Sequence, residues 1–145
     1  MKDLTNILKG VEETLNPIFA KLPKKPQDYV WGDIGCGSRG IFSIYLKKNN
    51  FQVLALDEEA LNETWSSIVN ELGVEFIQAN ANTYYNEKIT AVLTLYTPEI
   101  EISLKNFPNL EIIIVDEANF HPQVVKIDGF KVIKYVKTIP EITLT

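Results

Sequence analysis

Three places in the sequence carry residue types suited to holding a nucleoside. Four of the seven glycines fall between Gly32 and Gly40, within the run Tyr-Val-Trp-Gly-Asp-Ile-Gly-Cys-Gly-Ser-Arg-Gly of residues 29–40. Glycine costs backbone entropy in helices and strands, so such a cluster marks a place where the main chain turns sharply or lies against something. A short apolar stretch leads into the loop and a helix-like stretch leads out, the arrangement in which backbone N–H groups and a helix N-terminus face a nucleotide. Asp33 stands two residues before Gly35, Asp57 ends the next apolar run, and Asn80 follows the one after that. At the carboxyl ends of successive parallel strands, these positions would meet the loop, the ribose hydroxyls and the base of a bound nucleoside.

The elements that must position these residues follow from periodicity. Leu4, Ile7, Leu8, Val11, Leu15, Ile18, Phe19 and Leu22 recur at helical steps and predict an amphipathic helix over 1–22, with Asp3 as its N-cap. Pro17 predicts a break near Asn16, and Pro23 and Pro26 end the helix. Strands are expected at 29–34, 51–56, 74–78, 89–96 and 110–115, with helices at 41–50, 58–72 and, in a short form, 98–106; Gly73 stops the second. Alternating strand and helix predicts an α/β fold, a doubly wound, mostly parallel Rossmann-like sheet of order 3-2-1-4-5 with the N-terminal helix beside the glycine loop. At the end, 124–127 and 130–136 flank Asp128-Gly129, a two-residue turn signal. Only eight residues, 116–123, precede this pair, too few for a crossover with its helix, so a C-terminal antiparallel hairpin is expected.

Length and composition bound the function. A chain of 145 residues, 46% hydrophobic and 23% charged, is that of a single globular domain, 1–145. Within it, 1–22 is the N-terminal helix, 29–96 the half that would hold a cofactor, and 97–145 the acceptor half and hairpin. One cysteine and one histidine are too few for a structural zinc site, so no metal is expected. No apolar run is long enough to span a bilayer and the start lacks a signal-peptide pattern, which predicts a cytoplasmic protein without membrane contact. A net charge of −5 opposes nonspecific attraction to nucleic acid, although the lysines of 21–25 could form a local patch on a solvated linker.

The glycine run and its two partner sites resemble the class I S-adenosylmethionine-dependent methyltransferases over about residues 29–96. Asp33-Ile34-Gly35-Cys36-Gly37 matches the glycine-rich first motif of that family as it stands. Leu54-Ala55-Leu56-Asp57 looks like its second strand with the ribose-binding acid, and Phe76-Ile77-Gln78-Ala79-Asn80-Ala81 is similar to the third strand and adenine-side turn, with Asn80 where aspartate is common. The resemblance implies S-adenosylmethionine as cofactor, with Asp33, Gly35, Cys36, Gly37, Asp57 and Asn80 around it. It also places Tyr96, Pro98 and Glu99 at the floor of the acceptor site. The Asn-Pro-Pro-Tyr pattern of amino-group methylating members is absent there. The Pro98-Glu99 pair, the shortness of the chain and the run from Gly129 to Tyr135 are also similar to short uncharacterised archaeal methyltransferase-like proteins.

Other functions fit the same residues. Residues 35–40 are a literal G-x-G-x-x-G, the fingerprint of NAD- or FAD-binding folds, but Asp33 beside the loop repels a pyrophosphate whereas S-adenosylmethionine brings an ammonium and a sulfonium. Asp33 has a second role as a cap of the following turn, and Asp57 as the N-cap of a helix starting at Glu58. Cys36 has no base nearby in sequence and is a packing residue, not a nucleophile; Trp31 and Trp65 belong to the core. His121 follows the fifth strand, as a solvated loop residue or a base. The expectation is a minimal methyltransferase whose acceptor is small, presented by a partner protein, or met across a homodimer. The alternative is a non-catalytic cofactor-binding or interaction module on a degenerate methyltransferase fold.

Overall fold

The computed structural model describes residues 4–94, 104–116 and 131–135. Helix α1, Leu4–Phe19, buries Ile7, Val11, Leu15 and Ile18 along one face. It continues through Pro17, where the sequence predicted a break. Pro17 lies on the exposed face in the last turn, so the carbonyl its missing N–H leaves unpaired, and which its ring crowds, is on the solvent side. The next turn closes normally, with Ala20 N–H donating to Asn16 O at 3.0 Å. The predicted N-cap Asp3 lies outside the described residues.

A short 3₁₀ turn, Pro26–Asp28, then delivers the chain to strand β1, Val30–Ile34. Trp31 Nε1–H donates to Pro26 O at 2.9 Å, fixing the linker under the sheet. One lysine of the basic cluster, Lys24, bridges to Glu111 at 2.6 Å and stands 4.9 Å over the Tyr29 ring. Both partners of that bridge are well exposed, so its contribution to stability is small.

Strands β2, Gln52–Asp57, β3, Glu75–Gln78, β4, Ala91–Thr94, and β5, Ile112–Asp116, join β1 in a sheet whose order is β3-β2-β1-β4-β5, all parallel. This is the α/β architecture and the strand order that the alternating pattern predicts. Sequence position 29–34 and position 51–56 are adjacent parallel strands, with Asp33 level with Ala55 and Ile34 with Leu56.

The far edge departs from expectation. Strand β6, Lys131–Tyr135, pairs with β5 in parallel, from Ile112 beside Lys131 to Asp116 beside Tyr135. The antiparallel edge inferred from Asp128-Gly129 is therefore corrected; the other half of the supposed hairpin, 124–127, lies outside the described residues. The chain between β5 and β6 is 117–130, long enough for a parallel crossover, which takes about a dozen residues.

Two apolar layers hold the sheet. On one face Trp31, Ala55, Ala91, Leu93, Ile112 and Ile114 pack against α1, helix α2, Ile41–Lys48, and helix α3, Glu63–Leu72. Phe19 wedges between Trp31 and Phe51, with ring centroids 5.5 and 5.8 Å away. Trp31 and Trp65 are both buried, in keeping with core roles. On the other face Ile34, Leu54, Leu56, Val92, Ile113 and Val115 are covered by Ala81 and Ile89 of the polar connection after β3 and by Phe107 and Leu110. Asparagines anchor that cover: Asn106 Nδ2 donates to Asn82 O at 3.0 Å and Asn109 Nδ2 to Glu87 O at 2.6 Å.

Candidate functional site

The glycine loop leaves the carboxyl end of β1 and is tied at once to its neighbour. Gly35 and Cys36 both donate their backbone N–H to Leu56 O, at 2.7 and 3.1 Å, and Gly37 N–H donates to Asp57 Oδ2 at 2.9 Å. Three successive amides thus point at β2. Gly37 has φ +77°, a left-handed conformation that a side chain resists, and a Cβ built there would meet nothing within 4 Å. Its open side faces away from the protein's own atoms.

Asp33 points the other way, under the loop. It is 3% exposed, and its Oδ2 accepts from Ser43 Oγ–H at 2.6 Å, with the Ser43 backbone N–H donating as well. Ser43 lies in the first turn of α2, whose N-cap is Gly40. A helix start carries unsatisfied N–H groups and a partial positive charge, and here a carboxylate from the sheet occupies that position. Burial nevertheless dominates its ionisation: the carboxyl is pushed up to about 6 by desolvation, with Ser43 pulling it down and the nearby Asp57 charge adding to the rise. Of the two roles open to Asp33, the cap is the one its contacts fulfil.

Asp57 ends β2 with a partly exposed carboxylate. Oδ2 accepts from Gly37 N–H and Oδ1 from Glu59 N–H, each at 2.9 Å. A carboxylate offers about four lone-pair sites, so acceptor positions remain on both oxygens. Asp57 is not a helix N-cap, because α3 begins at Glu63, later than the predicted Glu58. Its N-cap is Asn62, whose Oδ1 accepts from Thr64 N–H at 3.1 Å. The intervening segment crosses to the glycine loop, where Asn62 N–H donates to Ser38 O at 2.7 Å and Leu61 sits 3.6 Å from a Cβ built on Gly40.

Asn80 follows β3, beside Asp57, and Ala79 N–H donates to Asp57 O at 3.0 Å. Its side chain is held at both ends. Oδ1 accepts from Asn82 N–H at 2.8 Å and Nδ2 donates to Glu58 Oε1 at 2.7 Å. The oxygen that the sequence aimed at a base is turned into its own loop. Gln78 Nε2 adds a donation to Glu58 O at 3.0 Å, so two side chains of the β3 end grip the residue after Asp57.

Cys36 is buried beneath the loop, its Sγ–H directed to Gly37 O at 3.5 Å. Burial first, then the Asp33 and Asp57 charges, raise the thiol far above its ordinary value, which keeps it protonated and unreactive. The loop, Asp33, Cys36, Asp57 and Asn80 therefore come together at the carboxyl ends of β1 to β3. Tyr96, Pro98, Glu99 and His121 lie outside the described residues. Among the described residues no three His, Cys, Asp or Glu are grouped to hold a metal ion, and no helix is long and apolar enough to cross a membrane.

Sequence reasoning missed Ser43, Glu58 and Asn62. A lone polar residue in the apolar run Ile41-Phe42-Ser43-Ile44 is a signal of a buried partner, and Asn62 ahead of Glu63 and Trp65 fits an N-cap. Glu58 carries no local signal. Comparison with protein-family models and with curated proteins finds no match to this chain.

Proposed function

We propose that this protein binds S-adenosylmethionine at the carboxyl ends of β1 to β3 and transfers its methyl group to an acceptor that is small, presented by a partner protein, or met across a homodimer in the cytoplasm. The carrying observation is Asp57. Its carboxylate is fixed by one backbone N–H on each oxygen beside a left-handed glycine, and it keeps acceptor capacity for a pair of ribose hydroxyls. The cofactor supplies a methyl already activated by the sulfonium, so the residues here need only bind, orient and align.

A dinucleotide fits these contacts poorly. Its pyrophosphate needs the loop amides and the helix start, yet Gly35, Cys36 and Gly37 donate to Leu56 and Asp57, and Ser43 donates to Asp33. The partly exposed Asp57 carboxylate also stands at the open side of the loop, with buried Asp33 beneath it. Cationic ammonium and sulfonium groups are favoured in that field.

A second function, a module that holds the cofactor without transferring from it, is favoured by one observation: the side-chain oxygen of Asn80 is committed to its own turn. The test separates these cases. Calorimetry of S-adenosylmethionine and NAD against the protein and Asp57→Ala should give binding of the first ligand, weakened about tenfold to a hundredfold in the variant, as for loss of hydrogen bonds to a charged group. Unchanged affinity in Asp57→Ala, or tighter binding of NAD, removes the proposal. Incubation with methyl-labelled cofactor and cell extract then distinguishes transfer from mere binding.

A further inference from the structure

We infer that Glu58, and not Asn80, is the residue that discriminates the base, its carboxylate accepting from the exocyclic amine of adenine. The inference rests on the adenosine-binding role proposed for Asp57. Adenine offers an amine donor beside a ring-nitrogen acceptor along its pairing edge, so its reader must present an acceptor. Asn80 already uses one of the two lone pairs of its oxygen within its own turn, and what remains is a neutral acceptor. The amide is locked with Oδ1 on Asn82 N–H and Nδ2 on Glu58 Oε1, at 2.8 and 2.7 Å.

The neighbouring carboxylate has what Asn80 lacks. Glu58 follows the ribose acid directly in sequence, its backbone carbonyl is held by Gln78 Nε2 at 3.0 Å, and its Oε1 by Asn80. Two contacts from the β3 end therefore fix both the main chain and the head group of an otherwise exposed glutamate. One lone pair of about four is used by Asn80, and an ionised oxygen is a stronger acceptor than an amide oxygen. Asn80 Nδ2 carries a second N–H besides the one given to Glu58, so the pair supplies both an acceptor and a donor, the complement of the adenine edge. On this assignment asparagine at position 80 is not a weakened aspartate. An aspartate there would place a second carboxylate against Glu58 and lose the clamp.

The probes are S-adenosylhomocysteine and its analogue in which hydrogen replaces the 6-amino group, titrated into the full chain by calorimetry. The protein should bind the amine-bearing ligand about tenfold more tightly, the scale of one hydrogen bond to a charged group at an exposed position. Glu58→Gln keeps an oxygen for Asn80 and replaces the other acceptor with a donor, so it should bring the two ligands to within about twofold, chiefly by weakening the first. Asn80→Ala should keep most of the preference. A preference unmoved by Glu58→Gln, or abolished by Asn80→Ala alone, overturns the assignment while leaving the cofactor proposal standing. Failure of the unmodified protein to bind either ligand overturns both.

Discussion

Replacing Asp33 with asparagine should stabilise this protein at neutral pH, although it removes a charged side chain that holds two hydrogen bonds. The buried carboxyl titrates near 6 in the folded chain against an ordinary value of 3.8. The folded state therefore binds a proton more tightly than the unfolded state, and stability is lost as pH rises from about 4 through about 6. At 1.36 kcal/mol per pKa unit, ionised Asp33 costs the fold about 3 kcal/mol at pH 7. Asparagine keeps an oxygen for Ser43 Oγ–H and carries no charge to desolvate. Urea unfolding of both proteins between pH 4 and pH 8 is the assay. The stability of Asp33→Asn relative to the parent should climb across that interval by up to about 3 kcal/mol, with most of the change below pH 7. A flat difference, or a variant losing ground as pH rises, would show that Ser43 and the start of α2 outweigh burial and would refute the reasoning.

Three further substitutions have expected outcomes. Ser43→Ala removes the O–H that stabilises the charged form of Asp33, so its cost should be about 1–3 kcal/mol at pH 8 and visibly smaller at pH 5 in the same unfolding assay. Gly37→Ala should cost only about 1–2 kcal/mol in stability, from its φ of +77°, since nothing in the protein crowds the new methyl. Binding of S-adenosylmethionine should fall at least about tenfold in the same variant, because the methyl enters the space proposed for the ligand; unaltered binding by calorimetry would place the cofactor elsewhere. Thr94→Val should be neutral or stabilising by about 1 kcal/mol in thermal melts, because the buried Thr94 Oγ1 has no hydrogen-bond partner among the described residues.

The central order of the sheet was legible because β2, β4 and β5 are nearly continuous apolar runs, each ending in a polar residue, and β1 runs into the glycine loop. Strand length, cover on both faces and the ban on crossed connections leave few arrangements for such a pattern. The placement of Asp57 was legible for the same reason, being the last residue of one run. Features set by distant partners were not. The orientation of the Asn80 amide is decided by Glu58, 22 residues earlier, and the burial of Asp33 by a serine ten residues later on another element. Asp128-Gly129 is a local turn signal, but the partner and direction of β6 are decided by which edge of the sheet is open to it, and β5 offers a parallel one. Pro17 does not end α1 because it sits in the last turn, with the carbonyl it leaves unpaired on the exposed side.

The position of β1 has a consequence for the order in which the chain can be made. Its first neighbour, β2, follows within the next turn of sequence and helix, but its second neighbour arrives only with β4, and Val30 N–H waits for Thr90 Oγ1, 60 residues downstream. A chain emerging from the ribosome can assemble α1, β1, α2, β2, α3 and β3 while one flank of the largely buried β1 stays bare. That flank is an unpaired edge of Trp31, Gly32 and Asp33 backbone, the kind of edge that recruits other chains. Every later strand adds outward from it, β4 first, then β5, then β6. A fragment ending before Ala91 should therefore associate with itself or with a chaperone, and pausing of synthesis in that interval is the step at which this protein is most exposed to aggregation.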